Sequence, residues 1–190
     1  MTTKRAFIFP GQGSQLSGMG ASLYESNAGI RFVFDQADDI LGFSLKQLMF
    51  HGAEEELKRT EITQPAVFIY SYATFKANES GIPDAVAGHS LGEITALVAS
   101  KALDFESGLK LVSARARAMQ AACEITNSTM AAILGLDDAT VHQICMDTPG
   151  IVVAANYNCP GQVVISGEFI SVELAADSCK RAGAKRAIML

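Results

Sequence analysis

Ala85-Val86-Ala87-Gly88-His89-Ser90-Leu91-Gly92-Glu93 changes backbone state within a few residues. Its first three residues are small and apolar and read as a buried strand. Glu93 to Leu103 reads as a helix, with an acid in the first turn where the helix dipole favours it. Between them Gly88-His89-Ser90-Leu91-Gly92 fits G-x-S-x-G, in the strand-to-helix context that pattern requires. A tight turn there pushes a serine hydroxyl out of the backbone, and a side chain at either glycine would collide with the neighbouring strand or helix. Ser90 is therefore a candidate nucleophile. The N–H of Leu91, at the start of the helix, is the natural donor to a developing oxyanion. The alternative is a strand-to-helix turn that happens to hold a serine.

Towards the N-terminus, Ala6 to Phe9 is a second short apolar run, stopped by Pro10-Gly11. In a parallel α/β sheet, loops at the C-terminal ends of strands line one crevice. Gln12, in the loop Gly11 to Gln15, is thereby a candidate second oxyanion donor, the alternative being a solvated turn residue. Helical patterns follow at about 28–41 and 44–50. Thr63-Gln64-Pro65 is expected to open a longer helix to about Asn78, with proline in the first turn. Asp104 is placed to cap a helix of about 105–123.

On a wheel at about 100° per residue, that last helix gathers Leu111, Val112, Ala116, Met119, Ala122 and Cys123 on one side. Arg115 falls inside the apolar arc, and Arg117 falls opposite. A cation on a core-facing stripe is costly unless an anion meets it, and a guanidinium grips a carboxylate by two parallel hydrogen bonds. Arg115 is thus a candidate carboxylate binder, a buried Asp or Glu partner being the alternative.

After about Thr126 the pattern changes. Strands at about 130–136, 151–155, 162–166 and 186–190 alternate with helices at about 138–147 and 168–182, in the order β-α-β-β-α-β of a split ferredoxin-like unit. The expected boundary divides residues 1–125 from 126–190. The chain of 190 residues, net charge −5, is nearly half apolar. That is a globular composition, and the charge argues against nucleic acid as a partner. No apolar run is long enough to span a bilayer, and the N-terminus is too short for a secretory signal. Cys123, Cys145, Cys159 and Cys179 form no CxxC pair, so neither a metal site nor a disulfide framework is expected, and reduced thiols in the cytoplasm are.

Several motifs occur together: Phe9 to Gln15, Thr63 to Ala66, Ala87 to Glu93, Arg115 with Met119-Gln120, Ala131 to Leu136, Asn156 to Val164, and Ala182 to Arg186. In this order they resemble the malonyl-CoA:acyl-carrier-protein transacylase family, across nearly the whole chain. Cys159 stands where serine is expected. The resemblance implies an α/β fold: an α/β-hydrolase-like large domain carrying an inserted ferredoxin-like small domain. It implies that Ser90 attacks the thioester and carries the acyl group, that Gln12 and the Leu91 N–H form the oxyanion hole, and that Arg115 binds the malonyl carboxylate. The implied partners are malonyl-CoA and the acyl carrier protein of fatty-acid biosynthesis, with no metal or organic cofactor. Lys180, Arg181, Lys185 and Arg186 form a basic cluster that is either a solvated face or a docking surface for acidic partners.

A serine nucleophile needs a base. The family's base is a histidine following the small domain, and none of His51, His89 and His142 fits that place. Residues 1–190 alone are accordingly expected to be nearly inactive. The rival readings are a serine hydrolase of the esterase or thioesterase kind, which has no use for a buried cation, and a non-catalytic module that docks carrier protein.

Overall fold

A computed structural model describes residues 4–78, 81–125 and 127–190. The chain forms two compact units, dividing between Ala121 and Ala122. The boundary expected at residues 125 and 126 lies beside Thr126, which is outside the described residues. Both units mix helices with sheet.

The first unit contains β1 (Ala6–Phe9), α1 (Ala21–Ser26), α2 (Ala28–Leu41), α3 (Leu45–His51), α4 (Glu54–Leu57), α5 (Thr60–Ala77), β2 (Ala85–Gly88) and α6 (Leu91–Ala99). It also holds the start of α7 (Phe105–Ile125). β1 pairs with β2 in parallel, Ala6 opposite Ala85 through Phe9 opposite Gly88. Parallel pairing brings the two C-terminal ends together, so the loops after Phe9 and Gly88 leave the sheet side by side. The core is built around α5, where Ala66, Val67, Phe68 and Ile69 are all buried. They pack with Phe34, Leu45, Met49, Leu91, Leu109 and Val112. Four consecutive buried residues cover every side of a helix, so α5 runs through the interior rather than over it. Each large side chain fully buried there contributes roughly 1.5–3 kcal/mol.

In the first unit, α5, α6 and α7 differ from the sequence reading. α5 opens at Thr60, not Thr63, which makes Pro65 its sixth residue and takes it out of the first turn. The earlier start is held by Thr63, whose N–H donates to the Arg59 carbonyl at 2.8 Å and whose hydroxyl donates to the Leu57 carbonyl. Burial of Thr63, Gln64 and Pro65 offsets the hydrogen bond that proline cannot make. α6 stops at Ala99, short of Leu103. Lys101 takes φ 64°, its N–H bonding the Val98 carbonyl at 3.1 Å while the Ala102 N–H bonds that of Leu97 at 2.9 Å. This is a Schellman ending with lysine in the position glycine usually fills. Finally, the apolar arc drawn on α7 is shifted. Leu109, Val112 and Ala116 are buried, whereas Leu111, Met119, Ala122 and Cys123 are exposed. Apolar character alone overestimates the buried face: Leu111 and Met119 lie outside the narrower stripe of Leu109, Val112 and Ala116, and Ala122 and Cys123 fall past Ala121, where the first unit ends. The expected cap is formed: Asp104 Oδ1 accepts from the Ser107 N–H at 2.8 Å.

The second unit runs β3 (Ser128–Leu134), α8 (Asp138–Asp147), β4 (Val152–Cys159), β5 (Gln162–Glu168), α9 (Phe169–Arg181) and β6 (Arg186–Met189). The sheet order is β4-β5-β3-β6, with every pairing antiparallel. β4 extends to Cys159, further than its alternation suggested, because register shifts after Ala154 and Tyr157 carry it to the Pro160-Gly161 turn. Val141 and Cys145 of α8 pack with Val172, Ala175, Ala176 and Cys179 of α9. Together they cover Ala131, Ile133, Val152, Val163 and Ile165 of the sheet. Among the described residues no helix is long and apolar enough to cross a membrane.

Candidate active site

The turn after β2 is fixed from several directions. The His89 N–H donates to the Phe9 carbonyl at 3.0 Å, the Gly92 N–H to the His89 carbonyl at 2.9 Å, and the Glu93 N–H to the Ser90 carbonyl at 3.1 Å. Ser90 sits at φ 53°, ψ −107°. A non-glycine residue there costs about 1–3 kcal/mol and persists only where its surroundings dictate it. The glycines supply that dictation. A Cβ on Gly88 would lie 1.9 Å from the Gly92 carbonyl carbon, and one on Gly92 would lie 2.2 Å from the Phe9 oxygen. Strand, turn and helix thus touch backbone to backbone. Leu91 anchors the start of α6, its side chain completely buried, while Ser90 stays exposed. The Leu91 N–H is a first-turn donor without an intrahelical partner.

The loop after β1 closes against this turn. A Cβ on Gly11 would lie 2.8 Å from the His89 oxygen. Within the loop, the Ser14 hydroxyl donates to the Gly11 carbonyl at 2.7 Å and the Gly13 N–H to Gln15 Oε1 at 2.9 Å. Gln12 Nε2 donates to Thr60 Oγ1 at 3.3 Å.

Arg115 is half-buried at the edge of the buried face of α7. Its Nη2 donates to Ser90 Oγ at 3.0 Å and its Nη1 to Gln64 Oε1 at 2.5 Å. Among the described residues it forms no ion pair, so neutral oxygens are what its charge meets. Gln64 is fully buried; its Nε2 donates to Gln12 Oε1 at 3.3 Å and to Met119 Sδ at 3.2 Å. One hydrogen-bonded chain therefore runs Ser90, Arg115, Gln64, Gln12, Thr60.

All four residues singled out from the sequence lie in the first unit. Ser90 and Arg115 are in direct contact, Leu91 follows Ser90, and Gln12 joins them through Gln64. Gln64 itself was quoted only as part of a motif. The signal that could have found it is the all-round apolar character of the helix around it: a polar side chain there must be buried, and a buried amide needs partners. His51 ends α3 and packs edge-on to Phe50. His142 is exposed on α8 of the second unit. In the basic cluster, Lys180 is paired with Asp177 at 3.1 Å and Arg181 donates to Ser178 Oγ at 2.9 Å, all on a solvated face of α9.

A strained serine between two close-approach glycines, with helix N–H groups and an unpaired guanidinium around it, suits acyl chemistry on an oxygen nucleophile. The chain belongs to the acyl transferase domain family, whose profile matches residues 6–189. Within that class it is similar to the malonyl CoA-acyl carrier protein transacylases. It is 47% identical to that of Bacillus subtilis (strain 168), covering 99% of this chain and 61% of the relative. The Escherichia coli K12 relative is 43% identical, at 99% and 62% coverage. Among solved structures, the malonyl CoA-acyl carrier protein transacylase of Coxiella burnetii superposes with a TM-score of 0.93 at 40% identity, covering 99% of this chain and 61% of that one. A malonyl-transacylase solved in complex with a holo type II polyketide acyl-carrier protein superposes at 0.91 and 41% identity, with 99% and 62% coverage. The chain thus spans about three fifths of the length of the relatives it matches.

Proposed function

We propose that this chain carries the nucleophile and the acyl-recognition half of a malonyl-CoA:acyl-carrier-protein transacylase. The observation that carries the reading is the contact between Arg115 and Ser90. A guanidinium without an anionic partner stands beside a candidate nucleophile, where the free carboxylate of a malonyl thioester would supply the missing charge. The names of the relatives support the same substrate class, and the acyl transferase profile supports acyl transfer.

In this reading Ser90 Oγ attacks the thioester carbonyl carbon, and its proton passes to a base. The C–S bond breaks, and coenzyme A leaves as a thiolate that takes up a proton. The Leu91 N–H and an amide N–H of Gln12 hold the negative charge of the tetrahedral intermediate, a donor of this kind being worth about 10²–10³ in rate. The phosphopantetheine thiol of a carrier protein then takes the malonyl group by the reverse sequence. We assign the base to none of His51, His89 and His142, and expect residues 1–190 alone to turn over far more slowly than a relative of full length. The first unit is read as part of an α/β-hydrolase-like domain, supported by its parallel strands and elbow. The second is read as ferredoxin-like, supported by the sheet order β4-β5-β3-β6 and two crossover helices. Residues 1–125 and 126–190 remain the proposed division. A cytoplasmic setting in fatty-acid synthesis fits four cysteines that are all free thiols.

Mass spectrometry after incubation with malonyl-CoA tests the function. An adduct confined to Ser90, absent in Ser90→Ala, that discharges to a pantetheine thiol faster than to water supports transfer. Discharge to water alone would make the protein a hydrolase, and binding of carrier protein with no adduct at all would leave it a binding module.

A further inference from the structure

We propose that Met119 is an oxidation site, and that its sulfoxide weakens the grip of Arg115 on the acyl carboxylate; this rests on the role of Arg115 read above. Met119 stands four residues after Arg115 on α7, so the two side chains are neighbours on the helix surface. They also hold opposite ends of one amide. Gln64 Oε1 accepts from Arg115 Nη1 at 2.5 Å, and Gln64 Nε2 donates to Met119 Sδ at 3.2 Å. With the Arg115 bond to Ser90 Oγ, an unbroken line of contacts joins the sulfur to the candidate nucleophile. Met19 and Met49 lie in the core, whereas Met119 is 40% exposed and still serves as an acceptor for a fully buried amide.

A thioether is a weak acceptor. Its sulfur has two lone pairs; the Gln64 N–H engages one, and a hydroperoxide takes the other. With hydrogen peroxide, the sulfur attacks one oxygen and the O–O bond breaks. The departing hydroxide takes the proton of the transferred OH and leaves as water. Sulfur loses two electrons, peroxide gains them, and the product is methionine sulfoxide. A methionine sulfoxide reductase returns the thioether with two electrons from a dithiol, releasing water. The change turns a soft apolar group into a polar one. The new oxygen is a strong acceptor close to a guanidinium that, among the described residues, has no ion pair. Hydrogen bonds to a charged donor are the strong ones, so the sulfoxide competes with the malonyl carboxylate for Arg115. An acetyl group has no carboxylate and loses nothing in that competition.

Treatment of a full-length form with hydrogen peroxide tests this. Peptide mass spectrometry should find Met119 oxidised at doses that oxidise exposed Met146 and spare buried Met49. Acylation of Ser90 by malonyl-CoA should then fall about threefold to tenfold, the size of one competing hydrogen bond, and acylation by acetyl-CoA by less than about twofold. Methionine sulfoxide reductase should restore the malonyl rate. Met119→Leu removes the sulfur at nearly constant volume. Its malonyl rate should be the same before and after treatment, which separates Met119 from the exposed Cys123 and Cys159. Met119→Gln puts a permanent oxygen acceptor at that position and should lower the malonyl-to-acetyl ratio without peroxide. Oxidation of Met119 only together with Met49, equal losses for both thioesters, or the same loss in treated Met119→Leu overturns the proposal. If malonyl-CoA never labels Ser90, the serine reading fails. The Gln64 side-chain amide resonance still decides the modification site, since it should shift on treatment of the unsubstituted protein and stay in place in Met119→Leu.

Discussion

Arg115 Nη2 donates a hydrogen bond to Ser90 Oγ at 3.0 Å, so the candidate nucleophile and the unpaired cation meet directly. A positive charge at that distance favours the alkoxide over the alcohol. It is also in place to hold an acyl group whose far end is a carboxylate.

Removing the cation should therefore change selectivity more than it changes chemistry. Arg115→Ala should lower the rate of Ser90 acylation by malonyl-CoA about 30- to 150-fold, the equivalent of ~2–3 kcal/mol for charge-assisted hydrogen bonds. Acetyl-CoA should lose less than about fivefold. Arg115→Lys should recover only part of the malonyl rate, because an ammonium cannot make two parallel bonds. Stopped-flow acylation with both thioesters checks this, and equal losses for malonyl and acetyl would remove the carboxylate role.

The close approach of α6 to β1 predicts a large cost at a small residue. A methyl at position 92 would sit 2.2 Å from the Phe9 oxygen, against backbone that no rotamer change can move. Gly92→Ala should destabilise the first unit by ~3 kcal/mol or more, towards the upper end of overpacking effects. Denaturant unfolding gives the number, and a loss below ~1 kcal/mol would show that the contact is looser than described.

Strain at the nucleophile predicts the opposite sign. Ser90→Gly should raise stability by ~1 kcal/mol, because glycine adopts positive φ without the penalty and gives back part of the gain through its greater unfolded freedom. Ser90→Ala keeps the strain and should show little change. Both should abolish labelling by malonyl-CoA. If Ser90→Gly unfolds no later than Ser90→Ala, the turn is not strained.

In the second unit, the Cys179 thiol is pushed up to about 11 by burial, with nearby Cys145 adding to the shift, against an ordinary value of 9.0. The folded state keeps this proton where the unfolded chain releases it. Its contribution is therefore fully present below about pH 9 and is lost as pH rises through about 11. Comparing Cys179→Ala with the unsubstituted protein across that window should show a stability difference that shrinks with pH. At pH 8 a thiol reagent should label exposed Cys123 and Cys159 quickly, and buried Cys145 and Cys179 only after unfolding. Rapid labelling of Cys179 would contradict its burial.

Local pattern carried the elements whose cause is local. The strand ending at Phe9, the helix Ala28–Leu41 and the helix Asp138–Asp147 stand where periodicity and caps put them. Asp104 caps α7 by the chemistry its position suggested. Elements decided by tertiary packing were less legible. Pro65 looks like a first-turn residue until the buried Thr63 draws the helix back to Thr60. Leu111 and Met119 look core-facing on a wheel, which cannot know where the covering layer stops. At the site, Ser90, Leu91 and Gln12 were readable because glycines mark the turns that present them. The contact between Arg115 and Ser90 was not, because nothing at one position announces a partner twenty-five residues away. The burial of Gln64 could have been read from the apolar helix around it, but its partners Gln12 and Arg115 could not.

The carbonyl of Phe9 is pressed against Gly92 and accepts from the His89 N–H, and the loop holding Gln12 begins one residue later. A single peptide unit is thus the common datum from which both presenting loops are measured. One loop is tied to that peptide by the covalent chain through Pro10 and the other by a hydrogen bond and a close contact, so any shift of the strand end displaces both.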